Sequence, residues 1–277
     1  MTEKWHLISN CNSCNNCNNC VLVTNDEYVG NDFPGYSAPK PVAGSPWMEK
    51  KRVERGNGTM IDVAHYIDTC MNCREPACVN PKSEGVVYQR EDGIVIINPE
   101  KAKGRKDIVG MCPHGHIHWN EELELPQKWT WDAHLLDAGW TQPRAASVCP
   151  TDALVAVKAT DAEMDARVAS GELSMRDAKR GSRLYDKNAD RLNKCFVGAS
   201  LCTVKDGVED CASGVKLLLK RDGHVIAEAE SDDFGEFRFD GLDGDGETYA
   251  LEIGDQLTRE FTLTTSAYLG TIEVGAS

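Results

Sequence analysis

The chain has 277 residues, enough for one large domain or two smaller ones. It is 41% hydrophobic and 27% charged, a balance that permits a packed core. The net charge of −14 excludes the basic surface that nucleic acid or an anionic membrane would require.

The opening residues, MTEKWHLISN, lack the apolar core of a secretory signal. Apolar runs such as Val21–Val23 and Leu217–Leu219 are far too short to span a bilayer, so no direct membrane insertion is expected. The expected location is cytoplasmic, or wherever a partner subunit carries the chain.

Twelve cysteines are present, and nine of them precede residue 150. The first group is CNSCNNCNNC, with Cys11, Cys14, Cys17 and Cys20. The second is CMNCREPAC, with Cys70, Cys73 and Cys78. Two single cysteines, Cys112 and Cys149, are each followed by proline. Such spacing suits metal or cluster ligation better than disulfides.

A [4Fe–4S] cube has four iron corners, each needing one thiolate. A C-x2-C-x2-C loop wraps three corners, and a distant Cys-Pro cysteine closes the fourth. Two triples and two Cys-Pro singles therefore provide for two clusters. Zinc would want paired C-x2-C or Cys/His motifs, which the Cys-Pro singles do not form. A nested duplication pairs Cys14, Cys17 and Cys20 with Cys149, and Cys70, Cys73 and Cys78 with Cys112; spacing alone leaves the pairing open.

Residues 1–158 read as the cysteine-rich domain and 159–195 as a linker with a helix. Residues 196–277 read as six or seven alternating strands, the pattern of a β-sandwich. Phe237, Phe239, Leu251, Ile253, Phe261 and Leu263 are its candidate core.

Several residues have an ordinary reading beside a sharper one. Cys11 extends the regular spacing and reads as spare. Cys195, Cys202 and Cys211 read as small buried hydrophobes. On a strand, the alternating His114, His116 and His118 would share one side, an arrangement open to zinc, but a polar strand is the simpler account. DGLDGDGE, Asp240 to Glu247, lacks the glycine and glutamate of a calcium loop and reads as a hairpin turn. No catalytic constellation is visible.

The segments CMNCREPACVN, VYQREDGIV, NPEKAKG, MCPHG, WNEE, AHLLD, DFPGY and FGEFRFD resemble the iron–sulfur (beta) subunits of the molybdopterin oxidoreductases. The resemblance is most specific to the pyrogallol–phloroglucinol transhydroxylase and catechol dehydroxylase group, and it extends into the C-terminal strands. It implies an α+β fold: a duplicated ferredoxin-like [4Fe–4S] domain followed by an immunoglobulin-like or prealbumin-like β-sandwich.

It also implies a ligand register. Cys14, Cys17, Cys20 and Cys149 hold the first cluster, and Cys70, Cys73, Cys78 and Cys112 the second. Thr24 and Lys82 stand where the first two motifs would have a fourth ligand. Trp129, Asp132 and Ala145 occupy ligand places of the last motif. Each of two clusters common in the wider family thus lacks all of its ligands, so two is the expected total.

The implied function is electron transfer beside a large catalytic subunit that alone carries the molybdopterin. The implied substrates are polyphenols, by transhydroxylation or reductive dehydroxylation. The alternatives are electron transfer in another molybdopterin oxidoreductase, a free-standing ferredoxin, or a zinc-stabilised assembly module.

Overall fold

The computed structural model describes residues 2–254 and 257–275. The chain is mixed α/β with mostly strands, and it divides into two compact units. Residues 1–52 and 65–189 form the first, and residues 53–64 and 190–277 the second.

The first unit is built on β1 (Lys4–Asn10), whose five inner residues are all buried. After it come α1 (Asn19–Tyr28) and a two-stranded ribbon, β2 (Met48–Asn57) and β3 (Met60–Thr69). The ribbon's tip, 53–64, clusters with the second unit. Two small hairpins follow, β4 (Val87–Gln89) with β5 (Val95–Ile97), and β6 (His118–Asn120) with β7 (Leu125–Gln127). Then come α2 (Ala133–Asp137), α3 (Arg144–Ser147), β8 (Leu154–Ala159), α4 (Asp161–Ala169), β9 (Leu173–Met175) and β10 (Leu184–Lys187).

The central sheet runs β8-β1-β10-β9, with β8 antiparallel and β10 parallel to β1. α4 begins with a capping box, Thr160 accepting from the Glu163 backbone while Glu163 accepts from Thr160 N–H. The expected linker therefore differs from what is seen. Its helix ends at Ala169, and residues 173–187 return to the sheet of β1. The stretch to residue 189 belongs to the first unit because its backbone completes that sheet.

Among the described residues, the second unit contains the ribbon tip, α5 (Asp190–Asn193) and eight strands: β11 (Cys195–Lys205), β12 (Val208–Cys211), β13 (Lys216–Arg221), β14 (His224–Glu230), β15 (Glu236–Leu242), β16 (Thr248–Ile253), β17 (Leu257–Thr262) and β18 (Ala267–Glu273). One sheet is β12-β11-β15, with β18 parallel to β11; the other is β14-β13-β16-β17. Val197, Leu201, Phe237 and Phe239 from the first sheet share a core with Leu217, Leu219, Leu251 and Ile253 from the second. Leu263 is in that core, and Phe261 packs half-buried at its margin.

DGLDGDGE closes with Gly241 and Gly246 at φ 79° and 82°. Its three aspartates are engaged in ion pairs: Asp240 with Arg55, Asp243 with Lys194 and Asp245 with Arg221.

Candidate cluster-binding sites

Cys14, Cys17, Cys20 and Cys149 line one cavity, together with Lys50, Ile67 and Leu154. Asparagine shapes the loop, since Asn16 and Asn18 sit at φ 65° and 68°, a left-handed conformation that asparagine tolerates better than most residues. Asn15 Oδ1 accepts from Cys17 N–H at 3.2 Å, and Asn10 O accepts from Cys14 N–H at 3.1 Å. These two amides are thus engaged away from sulfur. Other amides are directed at thiols: that of Leu154 donates to Cys149 Sγ at 3.4 Å, and that of Val21 to Cys20.

Cys70, Cys73, Cys78 and Cys112 line a second cavity with Asn72, Val95, His114, His116, Lys128 and Arg180. The two cavities are similar in size, with empty volumes of about 420 and 390 Å³ counting their open mouths. Asn72, at φ 40°, repeats the asparagine device. Its Oδ1 accepts from Val95 N–H at 2.9 Å and so ties the cysteine loop to β5.

The electrostatics group the thiols. Burial pushes the Cys20 thiol up to about 11, and charges on Cys14, Cys149 and Cys17 push the same way. Burial pushes Cys73 up to about 12, reinforced by Cys70, Cys78 and Cys112. Burial also raises Cys78 to about 12, with Cys70 and Cys112 adding to it while Lys128 opposes. Every cysteine acting on these three thiols belongs to the same set of four. Thiolates gathered this closely, several of them shielded from solvent, are unfavourable without a cation among them.

Among the described residues, no three His, Cys, Asp or Glu side chains are gathered tightly enough to hold a single metal ion. Each thiol set instead surrounds a cavity. That donor arrangement fits a four-iron cluster, whose corners are spread over a cube.

The remaining candidates lie elsewhere. Cys11 is buried with Sγ 3.2 Å from Asn188 O, and it does not line the first cavity. The three histidines do not share a strand face, because β6 begins at His118. His114 meets Asp177 at 2.9 Å, and His116 lies 3.4 Å from Asp68. Burial lowers His116 to about 4 despite that carboxylate, so the ring is neutral at pH 7. Spacing did not single out Lys128, a buried lysine on the wall of the second cavity.

The 4Fe-4S dicluster domain family matches residues 61–159, a span that includes Cys70, Cys73, Cys78, Cys112 and Cys149 but not the first triple. The pyrogallol hydroxytransferase small subunit of Pelobacter acidigallici is 41% identical over 233 residues, covering 82% of each chain. The chain belongs to the family of the pyrogallol hydroxytransferase small subunit. Beyond that family, the dimethylsulfide dehydrogenase subunit beta of Rhodovulum sulfidophilum is 27% identical over 32% of this chain and 27% of its own. The thiosulfate reductase electron transfer subunit PhsB of Salmonella typhi is 28% identical over 41% of this chain and 60% of its own.

Of the five residues named above as standing at places where the family resemblance would put a ligand, four are packed inside the protein. Thr24, Trp129, Asp132 and Ala145 are all buried. Trp129 and Ala145 join Tyr28, Trp47 and Met48 in one core, and Thr24 Oγ1 returns to Cys20 O at 2.8 Å. Lys82 is exposed, and its backbone carbonyl accepts from Arg105 at 2.6 Å.

Proposed function

We propose that this chain is the electron-transfer iron–sulfur subunit of a heteromeric molybdopterin enzyme acting on polyphenols, by transhydroxylation or reductive dehydroxylation. It holds two [4Fe–4S] clusters, one on Cys14, Cys17, Cys20 and Cys149 and the other on Cys70, Cys73, Cys78 and Cys112. The molybdopterin resides in a large catalytic partner. The first unit is read as a duplicated ferredoxin-like domain, and the second as an immunoglobulin-like or prealbumin-like sandwich.

The observation that carries this reading is the electrostatic grouping: residues far apart in sequence fall into two sets of four around two cavities. Bound there, a four-iron cluster supplies a one-electron donor and acceptor. The protein's residues hold it, exclude water and donate N–H groups toward sulfur. Cys20 and Cys149 of one set and Cys73 of the other pack against the same apolar core, which supports transfer between the sites away from solvent. Similarity to the pyrogallol hydroxytransferase small subunit supports both the partner and the substrate class.

Anaerobic purification tests the proposal. The expected product is brown, contains about eight irons per chain and co-purifies with a large molybdenum- or tungsten-pterin subunit. Stoichiometric zinc without iron would overturn it in favour of a zinc-stabilised module. Iron without a large subunit would favour a free ferredoxin.

A further inference from the structure

Lys128 is 2% exposed and lies on the wall of the second cavity. Its Nζ donates to Trp129 O at 3.1 Å and approaches Asn72 Oδ1 at 3.4 Å. Both partners are neutral. Among the described residues no carboxylate lies within ion-pair distance of it. A buried cation without a counter-charge is strongly unfavourable. What shares its cavity is the second thiol set, Cys70, Cys73, Cys78 and Cys112.

Asn72 supplies a second, independent observation. It is 1% exposed and lines the same cavity, yet its Nδ2 has no hydrogen-bond partner among the protein's atoms. An unsatisfied buried donor is uncommon and destabilising. A sulfur inside the cavity would satisfy it.

We infer that Lys128 and Asn72 are positioning residues that hold the second cluster at a higher reduction potential than its buried site would otherwise give. The inference rests on the reading that Cys70, Cys73, Cys78 and Cys112 ligate a cluster. The four thiolates outweigh the positive charge of the iron–sulfur core, and reduction adds one more negative charge. A buried ammonium and an N–H donor stabilise the reduced form more than the oxidised one. The first cavity lacks such a residue: Lys50 on its wall is only half-buried, and Cys17 is exposed. Solvent weakens the effect of a charge placed there.

The test is a potentiometric titration of the anaerobically purified complex, followed by electron paramagnetic resonance of the reduced clusters. In Lys128→Met, one midpoint is expected to fall by at least tenfold in the reduction equilibrium, about 59 mV for a one-electron couple. The other midpoint stays. Lys128→Arg keeps the charge and stays near wild type. Arg180→Gln, at a half-buried residue on the same wall, shifts the midpoint less than Lys128→Met does. If Lys128→Met loses iron, Lys128→Gln takes its place in the titration.

Unchanged midpoints in a variant that retains wild-type iron, or equal falls in both, would overturn the inference. Absence of iron from the wild-type protein would instead overturn the reading of the sites.

Discussion

The indole Nε1–H of Trp129 donates to Asp132 Oδ1 at 2.8 Å, at two positions where the family resemblance would put cluster ligands. Asp132 also accepts from Tyr28 OH at 2.8 Å and, through Oδ2, from Arg144 N–H at 2.8 Å. Burial raises its carboxyl, and the donors from Trp129 and Tyr28 oppose that rise. Asp132→Ala would leave three donors without their acceptor and is expected to cost about 3 kcal/mol. Tyr28→Phe removes two bonds, to Asp132 and to Thr130, and should cost about 2 kcal/mol. Anaerobic urea unfolding checks both, and equal midpoints for Asp132→Ala and wild type would count against the network.

Single-ligand substitutions separate the two thiol sets. Cys149→Ser is expected to lower iron from about eight to about four per chain and to spare the cluster on Cys70, Cys73, Cys78 and Cys112. Cys112→Ser should do the converse. Cys11→Ser should leave iron unchanged, since Cys11 faces Asn188 O rather than the cavity. Iron analysis with resonance spectra of each variant decides the pairing. If Cys149→Ser and Cys112→Ser abolish the same signal, the assignment fails.

Acid stability should carry the signature of His6. The ring is 0% exposed, with Nε2 3.2 Å from Ala159 O. Burial, reinforced by Arg183, lowers it from 6.5 to about 4. Between those values the unfolded chain binds a proton that the folded chain does not. Stability therefore falls as pH drops from 6.5 toward 4, and this group adds no further loss below that. The expected contribution is about 2 kcal/mol between pH 7 and pH 5. His6→Gln should lose that part of the slope in unfolding measured across the range.

Cys202 and Cys211 are directly opposed on β11 and β12. Ala212 N–H donates to Leu201 O at 3.0 Å, so the adjacent Cys202–Cys211 pair is of the non-hydrogen-bonded kind. Such pairs stand about 4.5 Å apart at Cα, within the range a disulfide spans. Glutathione disulfide, added anaerobically, should oxidise the two thiols to one disulfide and be reduced to two glutathione thiols by successive exchange. Non-reducing peptide mass analysis should find the linked pair. Mixed glutathione adducts alone, persisting with excess time, would refute the geometry.

The grouping of the cysteines was legible because short spacing with distant Cys-Pro singles suits loops around a cube, and the structure gathers the two expected sets around two cavities. The strands from Val215 onward were legible from alternation, and Phe237, Phe239 and Leu251 are buried as expected. The partners of β1 were not. Residues 184–187 pair with it in parallel from the far end of the first unit, and local pattern carries no trace of so distant a partner. Lys128 was missed for a similar reason, since its wall position depends on how Asn72 and Trp129 are brought together. The asparagines beside the cysteines were visible, but their left-handed backbone needed the folded loop to give them meaning.

The tip of the β2–β3 ribbon belongs with residues 190–277, so the second unit is discontinuous in the chain. Its integrity therefore depends on a segment translated long before the rest of it. Arg55 joins Asp62 and Asp240, Arg191 joins Asp62, and Met60 lies where a side chain at Gly198 would have to go. A gene fragment starting at residue 190 would encode every strand of both sheets yet omit these partners. The unit is thus a poor candidate for excision or transplantation, and an accessory domain of this kind is inherited with its host rather than exchanged as a cassette.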